Sequence, residues 1–184
     1  ELKVVEELLP LQQELDKGRQ APGRLFDSMV ASASDDRAIG NQFFAAHAHA
    51  DAMEAYQMGV RRFASLQPYH LNVPAKELKV ALCCSVAQAA LLLDDDDGSS
   101  NKVALNASEQ ALQLDPGNVK ALFRRGCAFA RSGSPNLARS DFQAVLVIHP
   151  KENRQGAVTI RRFQHLAESE LAKISSPRTP EHEL

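Results

Sequence analysis

Two prolines place the strongest constraint on what this chain can fold into. Pro116 and Pro150 lie 34 residues apart, and each ends an amphipathic segment, in "LQLDPGN" and "LVIHPKEN". Between the two prolines, small and large apolar residues recur at helical rather than alternating spacing. This stretch therefore predicts a pair of antiparallel helices that forms one unit of a 34-residue repeat.

The same pattern predicts an all-α chain with three helix pairs, because Gly and Pro are sparse within the long segments. The pairs are expected at residues 36–46 with 50–66, 75–93 with 101–114, and 118–132 with 135–148. A further helix is predicted at 155–174, and shorter helical segments at 2–16 and 25–33. We expect Asn118 to cap one helix, and Ser134 followed by Pro135 to begin the next.

A helix-turn-helix period of 34 residues is that of the tetratricopeptide repeat. In the last pair, Gly126 and Ala138 let the two helices approach, while Phe129 and Phe142 fill the space between them. The other template positions predicted for the three pairs are Leu122, Gly133, Gly40, Phe43, Ala52, Tyr56, Ala87 and Ala111. The middle pair fits when "DDDDGSSN" is read as an insertion of about five residues in its turn.

The predicted organisation has three parts. Residues 1–34 form an N-terminal helical or linker segment, 35–174 form a tetratricopeptide solenoid with a capping helix, and 175–184 form a disordered tail. The capping helix is expected to bury Val158, Phe163, Leu166 and Leu171. Because the chain opens at Glu1 without a methionine, we expect it to be a fragment.

Composition excludes several classes of function. The 184 residues are 44% hydrophobic and 24% charged with a formal net charge of −2, so no overall attraction to nucleic acid or membranes is expected. No membrane span or secretory signal is visible, which favours a cytoplasmic protein. Cys83, Cys84 and Cys127 are expected to be buried thiols. No catalytic constellation, metal-ligand spacing or cofactor motif occurs, so we expect a non-catalytic chain without metal or cofactor.

Four polar residues fall on the first helices of the first and last pairs. Arg37 and Asn41 are four residues apart, as are Lys120 and Arg124, so each pair lies on one face of its helix. Both faces would look into the concave surface of a solenoid. Two or more cations with an amide suit a ligand that carries carboxylates. By contrast, Arg125 is expected to lie on the surface.

From about residue 35 to 172 the sequence resembles the tetratricopeptide domains of chaperone-binding cochaperones. It is most similar to those of the large FK506-binding immunophilins and related aryl-hydrocarbon-receptor-interacting proteins. The resemblance rests on "RAIGNQFF", "KALFRRGCAFARSG", "LARSDFQAVLVIHP" and the connection "RRFASLQPYHLNVPAKELKVAL".

In that family a carboxylate clamp of the form K-x-x-x-N, N, K-x-x-x-R holds the C-terminal Glu-Glu-Val-Asp peptide of heat-shock protein 90 or 70. The resemblance implies that Arg37, Asn41, Lys120 and Arg124 take four of the five places. Ser85 stands where the second asparagine belongs. Serine is shorter and lacks the paired donor and acceptor of an amide, so this departure weakens the expected contact with the carboxylate.

These observations predict a cochaperone-like interaction module that binds the acidic tail of heat-shock protein 90 or 70. One alternative is a repurposed scaffold, with its clamp weakened at Ser85, that binds a client or another partner. Another alternative is the regulatory part of a peptidyl-prolyl isomerase whose catalytic domain lies upstream.

Overall fold

The computed structural model describes residues 23–95, 98–149, 153 and 155–175. Within these ranges the chain forms seven α-helices and one short 3₁₀ turn at Pro68–His70. The helices are α1 (Gly23–Ala45), α2 (His49–Arg61), α3 (Val73–Leu91), α4 (Ser99–Leu114), α5 (Val119–Arg131), α6 (Pro135–Val147) and α7 (Ala157–Ser175). No strand occurs in the described ranges, and the predicted all-α solenoid of three helix pairs is confirmed.

The beginning of the chain differs from the expectation. Two helices were predicted at 25–33 and 36–46, yet α1 runs without a break from Gly23 to Ala45. Neither Gly nor Pro interrupts residues 24–39, so the backbone has no reason to leave the helix there. The predicted helix at 2–16 and the tail beyond residue 175 lie outside the described residues, and the division into three parts stays a prediction.

Each helix packs against the next one along the chain, and the first helices of successive pairs also touch. Thus α3 contacts both α1 and α5, and α5 contacts α7. This arrangement places α1, α3 and α5 side by side along one surface. The connection between α3 and α4 covers seven residues, against three between α5 and α6, which agrees with an insertion in the middle pair.

Glycines facing aromatic rings set the close approach within the outer pairs. A Cβ built on Gly126 would lie 2.6 Å from Cε1 of Phe142, and one on Gly40 would lie 2.5 Å from the ring of Tyr56. Phe142 is 0% exposed and Tyr56 is 3% exposed. The helices therefore meet at a distance that only glycine permits, as the repeat pattern predicts.

Phe43 is a correction to that pattern. It was expected to fill the first pair, but it is 40% exposed. Phe44 instead packs against the core, with its ring centroid 5.1 Å from that of His49. Successive residues of a helix point about 100° apart, so Phe43 is exposed where Phe44 faces His49 at the start of α2.

Side-chain caps begin two of the first helices. Asn118 Oδ1 accepts a hydrogen bond from the Ala121 backbone N–H at 3.1 Å, as predicted. Asn72 does the same for Ala75 at 3.0 Å. Ser134 stands at the predicted start of α6 with Pro135 after it, but its hydroxyl makes no capping bond. Proline at the first helical position lacks one of the donors that a cap would satisfy.

The capping helix α7 buries a different stripe from the expected one. Ile160 and Ala167 are 0% exposed, whereas Val158 is 85% and Leu166 is 36% exposed. Buried or partly buried residues recur every three or four positions, at Ile160, Phe163, Ala167, Leu171 and Ile174. Val158 and Leu166 fall off that stripe, so only Phe163 and Leu171 of the four predicted residues pack against the core.

The described helices include none that is long and apolar enough to cross a membrane.

Candidate functional site

The concave surface holds a groove of about 810 Å³. Its walls come from α1, α3 and α5, from the turn between α4 and α5, and from Asn153 and Gln155. Asn153 Nδ2 donates to the Gly117 carbonyl at 2.8 Å, and Gln155 Oε1 accepts from the Val119 backbone N–H at 2.7 Å. These two bonds hold one end of the groove against the start of α5.

Four of the five predicted clamp residues line this groove. They are Arg37 on α1, Ser85 on α3, and Lys120 and Arg124 on α5. Lys76, near the start of α3, adds a further cation. The side chains that line the groove include four cations and two carboxylates, those of Glu77 and Asp115. The lining therefore carries an excess of positive charge.

Asn41, the fifth predicted residue, is outside this lining. Its Oδ1 accepts a hydrogen bond from the Tyr56 hydroxyl at 2.9 Å. Burial raises the pKa of Tyr56, and the nearby charges of Arg37 and Arg124 lower it in part. The phenol therefore lies close to both arginines, and it occupies the acceptor of Asn41 while leaving its amide N–H groups for other partners.

Arg124 is less accessible than Arg37 and Lys120, the other two predicted cations of the groove. It is only 9% exposed, and Nη1 donates to the Cys84 backbone carbonyl at 2.9 Å. Nη2 donates to Oε1 of Gln88. Burial lowers the pKa of Arg124, since desolvation disfavours the charged guanidinium. The charge is thus held inside the wall of the groove, against α3, rather than standing in its open space.

Arg125, by contrast, corrects the expectation of a surface residue. Its Nε and Nη2 donate to the two carboxylate oxygens of Asp141 at 2.8 Å and 2.7 Å. The Asp141 side chain is 7% exposed and that of Arg125 is 27% exposed. The guanidinium also lies 5.8 Å from the ring centroid of Phe129. This bidentate pair joins α5 to α6, away from the groove.

Gln88 is a second groove residue, besides Lys76, that the sequence pattern did not single out. It lies three positions after Ser85 on α3, and both residues line the groove. Positions three apart share a helix face, so the spacing alone indicated that Gln88 would accompany Ser85. Its contact with Arg124 could not be read from the sequence, because 36 positions separate the two residues.

Two of the three cysteines are buried and the third is half-buried, and all are free thiols. Burial raises the pKa of Cys83 to about 12 and that of Cys127 to about 12. Cys84, which borders the groove, also has a raised pKa through burial. These groups are therefore neutral thiols near neutral pH, not nucleophiles.

Solved structures share the fold. The C-terminal tetratricopeptide-containing domain of a Plasmodium falciparum FK506-binding protein aligns with a TM-score of 0.57 at 20% identity, covering 80% of this chain and 93% of that one. The tetratricopeptide domain of Arabidopsis OM64 aligns with a TM-score of 0.53 at 22% identity, covering 79% and 98%. At these identities the likeness establishes the tetratricopeptide fold.

Sequence relatives come from the FK506-binding proteins. Human FK506-binding protein-like is 31% identical over 121 residues, which are 66% of this chain and 32% of that protein. Mouse peptidyl-prolyl cis-trans isomerase FKBP4 is 32% identical over 108 residues, which are 59% of this chain and 21% of that protein. No family model matches the chain.

The chain thus spans about a third of the first relative and about a fifth of the second. The matched regions are the tetratricopeptide domain and not the isomerase domain. The described part of the chain therefore has the tetratricopeptide-repeat fold, and its sequence is similar to the tetratricopeptide domains of the large FK506-binding immunophilins.

Proposed function

We propose that this domain is a cochaperone-type interaction module that binds the acidic C-terminal tail of heat-shock protein 90 or 70 in its groove. The observation that carries the proposal is the convergence of Arg37 and Lys120, from two different repeats, on one concave space. Arg37 is exposed and Lys120 is half-buried, so both cations are accessible to a ligand. Carboxylates of an extended peptide are the ligands that such a surface attracts.

We propose unequal roles for the cations. Arg37 and Lys120 meet the peptide directly, whereas Arg124 contributes its charge from within the wall, where screening by water and salt is weak. Because Arg124 also bonds to α3, its replacement would disturb the packing of α5 on α3. Lys120 and Arg37 are therefore the cleaner positions for a test of binding.

Calorimetric titration with the peptide Met-Glu-Glu-Val-Asp tests the proposal. We expect binding that weakens as salt rises, and a loss of about five-fold or more for Lys120→Ala and for Arg37→Ala, on the scale of one charge-assisted contact. Arg139→Ala, at an exposed position of α6, is the matched control and should bind as the wild type does. A peptide with an amidated C-terminus should bind more weakly.

No heat with the free-acid peptide at high concentration would refute the proposal. Equal affinity of the Lys120→Ala and wild-type proteins would refute the role of the groove. In either case a repurposed scaffold becomes the better account, and proteins retained from a lysate equally by the wild type and Lys120→Ala would support it.

We also propose that the domain is the non-catalytic part of a larger protein related to the peptidyl-prolyl isomerases. The support is that relatives named as such isomerases match only through a fifth of their length. In an isomerase assay on a proline peptide, this chain should not accelerate the cis-trans exchange. The proposal would be contradicted if the chain accelerated the cis-trans exchange and an inhibitor of prolyl isomerases blocked that acceleration.

A further inference from the structure

Ser85 leaves the groove without the amide that its position was expected to supply, and Gln88 lies one turn further along the same face of α3. The Cβ atoms of residues three apart on a helix are about 5–6 Å from each other, so the longer glutamine side chain can serve the same space. Gln88 and Ser85 are both half-buried and both line the groove.

The contact with Arg124 determines which way the Gln88 amide faces. A guanidinium carries only donors, so the amide atom that meets Nη2 of Arg124 must be Oε1. The NH₂ group is then the end of the Gln88 amide that Arg124 does not contact. Among the described residues Nε2 of Gln88 has no hydrogen-bond partner, and it is not a buried unpaired atom. This nitrogen is therefore accessible to solvent in the groove.

We infer that Gln88 is the ligand-binding amide of this groove, taking the place of Ser85 and offering its Nε2 donors to a carboxylate of the bound peptide. The inference rests on the proposed function. Arg124 holds the amide in place through Oε1 and polarises it, because hydrogen bonds in a chain strengthen one another. The buried guanidinium thus acts on the ligand through Gln88 as well as through its charge.

Two hydrogen bonds made by Arg124 hold the Gln88 side chain in its orientation. Nη1 is fixed on the Cys84 carbonyl, one turn before Gln88, so the guanidinium bridges backbone and side chain of the same helix. A preorganised donor loses less side-chain entropy on binding than a freely rotating one. Ser85, with a hydroxyl on a single carbon, reaches less far into the groove and contributes less to binding.

Two substitutions of Gln88 separate binding from folding. Gln88→Met removes the amide at nearly constant volume, whereas Gln88→Glu keeps an oxygen for Arg124 but replaces the donors by a negative charge. In titrations with Met-Glu-Glu-Val-Asp we expect a loss of about ten-fold for Gln88→Met and a larger loss for Gln88→Glu. Thermal melting should show Gln88→Glu to be as stable as the wild type.

Ser85→Ala should change the affinity by less than about two-fold, since the serine is replaced in function. The matched control is Gln113→Met, the same substitution at an exposed position of α4, which should not change binding. A direct readout comes from the side-chain N–H signals of Gln88 in the wild-type protein, which should shift as peptide is added. Those of Gln164, whose Nε2 donates to carbonyls at the end of α6, should not move.

If the wild type binds the peptide and Gln88→Glu binds it equally well, the inference is wrong and the proposed function still stands. Tighter binding by Gln88→Met would also overturn it, because Gln88 would then be masking Arg124. A peptide that shifts no Gln88 side-chain signal would contradict it even if the variants failed to fold. Absence of binding by the wild type would refute the proposed function and this inference together.

Discussion

Replacing Arg125 by methionine probes the ion pair that joins α5 to α6. The two parallel hydrogen bonds to Asp141, at 2.7 Å and 2.8 Å, would be lost, and a carboxylate only 7% exposed would remain without its partner. Breaking a fully buried pair in this way costs about 3–5 kcal/mol. Because the Arg125 side chain is 27% exposed, water can partly replace it, and we expect a cost of about 2–3 kcal/mol.

Thermal unfolding followed by circular dichroism measures this cost. For a chain of this size, about 2–3 kcal/mol corresponds to a fall in Tm of roughly 6–9 °C. Adding Asp141→Asn to Arg125→Met should recover part of the loss, because it removes the unpaired charge. Arg131→Met, at an exposed position of the same helix, is the control and should melt close to the wild type.

The same measurement can refute the reasoning. If Arg125→Met melts within about 1 °C of the wild type, the pair contributes no more than an exposed one, and Arg125 is the surface residue that the sequence predicted. If the double variant is as unstable as the sum of the two single variants, the residues are not coupled.

Three further predictions concern the fold. Gly126→Ala should destabilise the domain by about 1–2 kcal/mol in urea unfolding despite the better helix propensity of alanine, because the new Cβ would overlap the buried ring of Phe142; a more stable variant would show that the ring can move. Asn118→Ala should cost about 1–2 kcal/mol in the same assay through loss of the α5 cap, and an unchanged midpoint would contradict this. Cys83 and Cys127, with pKa values raised from 9.0 to about 12, favour folding at pH below 9 and lose that contribution as the pH rises towards 12. Stability should therefore fall above about pH 9, and fast labelling of both thiols at pH 8 by a thiol reagent without denaturant would argue against their burial.

The helix pairs were largely predictable because their determinants are local. The spacing of small and large residues gave the boundaries of α3 to α7 within a few positions, and the close approach of α5 and α6 at Gly126, with Phe142 between them, agrees with the repeat. Errors occurred where the local pattern was ambiguous. Phe43 was chosen over Phe44, and Val158 was placed in a stripe that begins at Ile160.

For the groove, the sequence predicted which residues line it but not which partners their side chains contact. Four of the five expected residues line it, since helical periodicity determines which face each one occupies. The partners of each side chain depend on contacts between residues far apart along the chain. Arg124 meets a carbonyl 40 positions away, and Tyr56 meets Asn41 across 15 positions.

By itself, the sequence determined the all-α class, the 34-residue repeat and four candidate residues of the groove, because short-range periodicity encodes which face each residue occupies. The fifth candidate, Ser85, came from the family resemblance. The tertiary structure decided what those residues do. It placed Arg124 in the wall of the groove and paired Arg125 with Asp141. It also placed Gln88 in the groove beside Ser85, in contact with Arg124. A charged side chain takes the partner that the packing of distant helices offers, and only the folded chain shows that partner.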